Sequence, residues 1–156
     1  MSHRKGFSLT ETLIAIVIVS ILVLMGYPKL TSAMVTTNVR GARTTIANMV
    51  SKARATAIQT NRRSAQVEFV GNNVLVTAAP RTKAPLAGNT KDTVGSVQNL
   101  NAIYGVTVTS TLPAPAAIAF DPRGLGSGYV NGSNTITVTK SGKSETITID
   151  MLGRVQ

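Results

Sequence analysis

The sequence predicts an α+β protein: one long N-terminal helix laid against an antiparallel β-sheet. Three observations carry this. An apolar run, Phe7–Met25, holds a single charge, Glu11, and leads into a stretch with helical spacing of apolar residues. After Ser64 the apolar period changes from helical to two. Near the C-terminus two alternating segments flank Ser141-Gly142-Lys143, a hairpin signal. A helix stripe and one sheet face can then cover each other.

The first element follows a short basic segment containing Arg4 and Lys5. As a helix, Phe7–Met25 is about 28 Å long, enough to cross a bilayer core. It exceeds the usual apolar length of a secretory signal peptide, and Ser32-Ala33-Met34 makes a poor cleavage site. Cations flank it only on the N-terminal side, which keeps the N-terminus cytoplasmic and exports the body. A carboxylate in such a run marks a function and needs a partner. If the chain is cut between Gly6 and Phe7, the new Phe7 amine lies one helical turn from Glu11. Pro28, with Gly26 nearby, either bends the helix as it leaves the membrane or ends it.

The organisation is a leader at 1–6, a membrane or filament-core helix at 7–27, an amphipathic helix at 28–63 and a β-rich body at 64–156. In the second helical part Ile46, Val50, Ala53 and Ala57 form a stripe that Val39, Met49 and Ile58 widen. Arg40, Arg43 and Arg54 lie away from it, as a basic ridge or simply a solvated face. Gly41 weakens the helix, and Asn61 stops it. The body reads as strands Gln66–Val70 and Val74–Thr77 around a Gly71-Asn72-Asn73 turn, an exposed loop at 80–100, and strands Ile103–Thr109 and Ala117–Phe120. A turn-rich loop at 121–128, the hairpin Thr135–Lys140 and Ser144–Asp150, and a short last strand at Leu152–Val155 complete it.

Composition narrows the chemistry. There are no cysteines and one histidine, His3, ahead of the apolar run. Thiolate sites, disulfides, His-based metal sites and Ser-His-Asp catalysis are thereby excluded from the body. The six acidic residues show no acid/base pairing, so no enzyme, cofactor or metal is expected. Gly142-Lys143-Ser144 lacks the glycine of a phosphate loop and sits in a hairpin. Gly124-x-Gly126 continues to Tyr129 where a dinucleotide fingerprint needs glycine, and Asn131-Gly132-Ser133 reads as a turn. The formal charge is +10, and +8 without Arg4 and Lys5. That balance suits an acidic partner or a soluble surface that is simply basic.

Lys5-Gly6-Phe7-Ser8-Leu9-Thr10-Glu11 resembles the prepilin cleavage motif of type IV pilins and type II secretion pseudopilins, and the match extends to Pro28. The resemblance implies that prepilin peptidase cuts after Gly6 and N-methylates Phe7. It also implies that Glu11 docks the subunit by meeting the Phe7 amine of a neighbour. The helix end Ser51–Ile58, the following strand, Ile118–Gly124 and the closing hairpin with Gly153-Arg154 look like GspH/FimT-type minor pilins and pseudopilins. Some such proteins bind DNA for uptake through a C-terminal Gly-Arg-x-Arg element; here Gln156 stands for the second arginine.

The resemblance implies a minor pilin of a type IV pilus, held in the inner membrane with a periplasmic body and then assembled with other pilin subunits. An H-type pseudopilin of a periplasmic pseudopilus and a major pilin are the alternatives. If the body binds DNA, the candidate contacts are Arg154, Arg123, Lys140 and Lys143, and affinity falls steeply with salt.

Overall fold

The computed structural model describes residues 8–59, 64–79, 91–112, 115–127 and 134–156. The leader, Gly6, Phe7, Asn61, most of the 80–100 loop and Asn131 fall outside these residues. The chain separates into two compact units, Met1–Thr36 and Thr37–Gln156.

A single helix, α1 (Leu9–Gln59), belongs to both units and contains Pro28. The helix therefore does not end at this proline, although Pro28 offers no N–H to the Leu24 carbonyl. In the first unit every large apolar side chain from Leu9 to Met34 is exposed. In the second, α1 buries Val39, Ala42, Ile46, Met49, Val50, Ala53 and Ala57, the expected stripe with Ala42 added. Ile58 remains about half exposed. All buried residues among those described lie between Val39 and Ile149. Among the described residues, the core thus lies entirely within 37–156.

The body contains β1 (Ala65–Val70), β2 (Asn73–Ala78), β3 (Asp92–Thr93), β4 (Gln98–Asn99), the short helix α2 (Leu100–Tyr104), β5 (Thr107–Ser110), β6 (Ala117–Phe120), β7 (Gly126–Ser127), β8 (Thr135–Lys140) and β9 (Lys143–Thr148). Every pairing is antiparallel, but the strands form two sheets, not one. The first runs β3-β2-β1-β6-β7 with β4 also on β2; the second runs β5-β8-β9. The Asn72 side chain joins them: its Oδ1 accepts from the Val108 N–H at 2.9 Å.

Two expectations need correction. The exposed loop at 80–100 hides two short strands, β3 and β4, whose pairs with β2 involve only two residues each. The strand expected at Ile103–Thr109 begins as helix. Asn99 caps α2 through a 2.8 Å bond to the Ala102 N–H, and Gly105 ends it at φ 65°. Only Thr107–Ser110 is extended.

The β8–β9 hairpin has the expected register, with Ile136 opposite Ile147 and both buried. Its turn is Ser141-Gly142, with φ 46° and 78°, the left-handed pair that matches strand twist. Lys143 opens the returning strand opposite Lys140. The last residues fold back onto β9: Thr148 and Gln156 exchange both backbone hydrogen bonds, and Ile149 bridges Val155. Every outward position of the second sheet is threonine or serine: Thr107 and Thr109, Thr135, Thr137 and Thr139, Ser144, Thr146 and Thr148.

Candidate functional site

From Leu9 to Met34 the described helix exposes its large apolar side chains, which suits surroundings other than water. It is the one described helix long and apolar enough to cross a membrane. Two of its hydroxyls bond within the helix: Thr12 donates to the Leu9 carbonyl and Ser20 to the Ile16 carbonyl, each at 2.8 Å. Glu11 lies in the first turn and has no ion-pair partner among the described residues. Beside Gly26 the surface dips into a shallow apolar notch formed by Val19, Leu22, Val23, Tyr27 and Leu30.

In the second unit the most ordered polar feature is a pair of matching loops. In Asp121-Pro122-Arg123-Gly124-Leu125, the Asp121 carboxylate Oδ1 accepts from the Arg123 and Leu125 N–H groups at 2.9 and 2.8 Å. The Gly124 N–H donates to the Asp121 carbonyl, and the Asp121 N–H donates to the Leu125 carbonyl, both at 2.9 Å. Asp150-Met151-Leu152-Gly153-Arg154 repeats each bond: Oδ1 accepts from Leu152 and Arg154 at 2.9 and 2.7 Å, Gly153 donates to the Asp150 carbonyl, and Asp150 donates to the Arg154 carbonyl. Gly124 and Gly153 sit at φ 77° and 70°, a conformation that costs other residues about 1–2 kcal/mol. The Gly126 N–H donates to the Met151 carbonyl at 2.8 Å and ties the loops together.

Both glycines face the Arg54 side chain of α1. A Cβ on Gly124 would lie 3.1 Å from Arg54 Nε and 2.7 Å from Ile58 Cδ1; one on Gly153 would lie 3.5 Å from Arg54 Cδ. The bare backbone of the twin loops therefore grips the arginine stem. Arg54 Nε is buried without a hydrogen-bond partner.

The two acids of this corner are engaged inside the loops. The Arg154 backbone N–H holds the Asp150 carboxyl below the usual range; burial opposes this, and the Leu152 N–H and the Arg154 charge add to it. The Arg154 guanidinium Nε meets Asp150 Oδ2 at 3.1 Å on the surface. Arg123 is exposed.

Lys140 and Lys143 stand elsewhere. Lys140 donates to the Tyr104 carbonyl at the end of α2, so its ammonium serves as a helix C-cap. Nearby, Tyr104 packs over Gly41 and shares a 2.9 Å hydrogen bond with Thr45. Arg40 Nε lies 3.7 Å from Glu145 Oε1. At about 3.3 Å per residue, the path from Lys143 to Asp150 sets these cations roughly 23 Å from the arginine corner. The structure thus brings Arg123 and Arg154 onto bonded loops and sets Lys140 and Lys143 apart.

A further polar cluster lies on the first sheet. Glu68 Oε1 accepts from Gln66, from Thr77 at 2.6 Å and from Lys91 at 3.1 Å. Burial pushes this carboxyl up, but the hydrogen bonds of Thr77, Gln66 and Lys91, with the Lys91 charge, outweigh it and hold Glu68 below its ordinary value. Among the described residues no three His, Cys, Asp or Glu side chains gather as metal ligands would.

Sequence reasoning placed Asp121 in a loop and Arg54 on a solvated face or ridge, and missed the grip that joins them. The signal was present as a repeat of Asp-x-x-Gly-x at Asp121 and Asp150.

Comparisons with known proteins fit this architecture. Residues 1–27 match the family model of the prokaryotic N-terminal methylation motif. Residues 42–153 match that of the type II transport protein GspH. Two crystal structures of the type IV minor pilin FimU from Pseudomonas aeruginosa PAO1 resemble the chain in fold. One, in space group P21, has a TM-score of 0.51 at 16% identity, covering 78% of this chain and 88% of that one. The other, in P65, has a TM-score of 0.47 at 17% identity, covering 75% and 90%. No curated protein sequence matches the chain. With the methylation motif at its start and the GspH match over most of its length, the chain belongs to the GspH family of type IV pilin-like proteins.

Proposed function

We propose that, between the minor pilins and the pseudopilins of its family, this chain serves as a minor pilin of a type IV pilus. The observation that supports it is an apolar helix whose large side chains are exposed from Leu9 to Met34, beside a body that holds every buried side chain among the described residues. Such a helix is stable only among lipids or other apolar helices, and a filament of pilin subunits supplies the latter. Prepilin peptidase cuts after Gly6 and N-methylates Phe7 in the inner membrane, where the body is periplasmic. Glu11, unpartnered among the described residues, then meets the Phe7 amine of the adjacent subunit and sets its register. Pro28 relaxes the helix at the Leu24 carbonyl.

The test is expression of Glu11→Ala and Gly6→Val in cells. Glu11→Ala should be processed to mature size yet fall several-fold in sheared filaments, while Gly6→Val should stay at precursor length. Normal incorporation of Glu11→Ala would refute the docking role. Loss of secretion without loss of pili on deleting the chain would instead mark an H-type pseudopilin.

A second reading, DNA capture, draws support from Arg123 and Arg154 standing on bonded loops. It is weakened by the distance to Lys140 and Lys143 and by the pairing of Arg154 with Asp150. A salt titration of duplex binding by residues 29–156, beside Arg154→Ala, tests it. DNA capture requires measurable binding at low salt, a steep fall with salt and a clear loss in the variant.

A further inference from the structure

The arginine corner also exposes apolar side chains. Met151 is 63% exposed, Ile58 48%, Leu125 45% and Leu152 37%. They are gathered by the same bonds that build the corner. Ile58 abuts Gly124, Leu125 follows it, and the Gly126–Met151 hydrogen bond brings Met151 and Leu152 alongside. Arg54, Arg123 and Arg154 accompany these four residues. No lysine belongs to either loop, and the loops' carboxylates, Asp121 and Asp150, are engaged by the loops' own N–H groups, with Asp150 Oδ2 also meeting the surface guanidinium of Arg154.

Phosphate binding does not need this apolar exposure, which a DNA backbone would leave uncovered or drive against charge. Protein interfaces have this composition: an apolar centre with Met and Arg enriched and Lys, Glu and Asp depleted. A second copy of the chain would set arginines against arginines in a symmetric contact, with a formal side-chain charge of +8 on each partner once Arg4 and Lys5 are removed. We propose that the corner formed by Arg54, Arg123 and Arg154 around Ile58, Leu125, Met151 and Leu152 is the docking face for a different, acidic subunit of the same filament. Its contact surface presents apolar side chains flanked by carboxylates. The proposal rests on the pilin reading for the partner's identity and on the corner alone for its chemistry. The clamped stem of Arg54 favours such a contact, because its side chain is already ordered before the partner arrives.

The experiment places a photo-crosslinking benzoylphenylalanine at Leu125 of the full chain in cells, with the adduct identified by mass spectrometry. The expected result is an adduct with another pilin-like subunit, linked through an acidic segment. Arg123→Glu with Arg154→Glu should reduce its yield at least tenfold. Lys143→Glu, far from the corner, should leave it unchanged, and thermal melts of both variants should agree with the parent. An adduct with a second copy, with DNA, or none at all from processed and stable protein overturns the proposal. Equal loss in Lys143→Glu also overturns it, since the attraction would then be diffuse. An acidic partner belonging to a secretion apparatus would support the docking face while refuting the pilus assignment, so the two fail separately.

Discussion

Replacing Gly153 by alanine tests how tightly the second loop is seated on the core. Gly153 has φ 70°, and a Cβ there would lie 2.9 Å from Phe120 Cε1 and 3.0 Å from Cζ. Phe120 is fully buried, so its ring has little room to retreat. The left-handed backbone alone costs alanine about 1–2 kcal/mol. Overpacking against the ring adds about 1–3 kcal/mol. Gly142 supplies an internal control: φ is 78°, but nothing lies within 4 Å of its Cβ position, so Gly142→Ala carries the backbone cost only. Urea unfolding of residues 29–156 separates the two effects. With a slope of about 2 kcal/mol/M, the ring clash lowers the Gly153→Ala midpoint by roughly 0.5–1.5 M beyond Gly142→Ala. Equal midpoints for the two variants would refute the close seating of the loop on Phe120.

Three other perturbations have defined outcomes. The folded-state values of Glu68 and Asp150 are both lowered, so the stability they add is present above the ordinary carboxylate range and is lost as pH falls through those lowered values; Glu68→Gln should flatten the acid side of a urea-midpoint profile, and an unchanged profile would refute its role. Gly41→Ala gains up to about 1 kcal/mol of helix propensity, but its Cβ would lie 2.7 Å from Tyr104 Cε1. Displacing that ring breaks the Thr45 bond, and a net loss of about 1 kcal/mol is expected in a thermal melt; a stabilised variant would show that the ring moves freely. Ile46→Ala, at a fully buried position, should cost about 2–5 kcal/mol, and a loss below 1 kcal/mol would place Ile46 outside the core.

The elements legible in the sequence are those whose signal is local and long. The α1 stripe recurs over several turns, and the β8–β9 hairpin pairs through a two-residue turn, so neither depends on distant contacts. Helix α2 has five residues, too few to show a period, and Ile103, Val106 and Val108 imitate part of an alternating strand. Its signal lay in the flanking Asn99 and Gly105 caps. The division into two sheets depends on which strand β6 chooses, and that choice is made by tertiary packing. Strands β3 and β4 are too short for alternation to register. The basic residues were visible one by one, but their grouping required the return of the C-terminus beside the 121–126 loop. Nothing in the arginine spacing shows that the Arg54 stem is held by two glycines.

The placement of every buried side chain among the described residues beyond residue 37 has a consequence for biogenesis. Exchange of lipid for neighbouring helices would alter only what surrounds the anchor, because the core that determines unfolding lies wholly outside it. On the proposed minor-pilin reading, a subunit waits in the bilayer and enters a filament with its body folded throughout. Assembly on that reading is a partitioning step, with no refolding cycle in it.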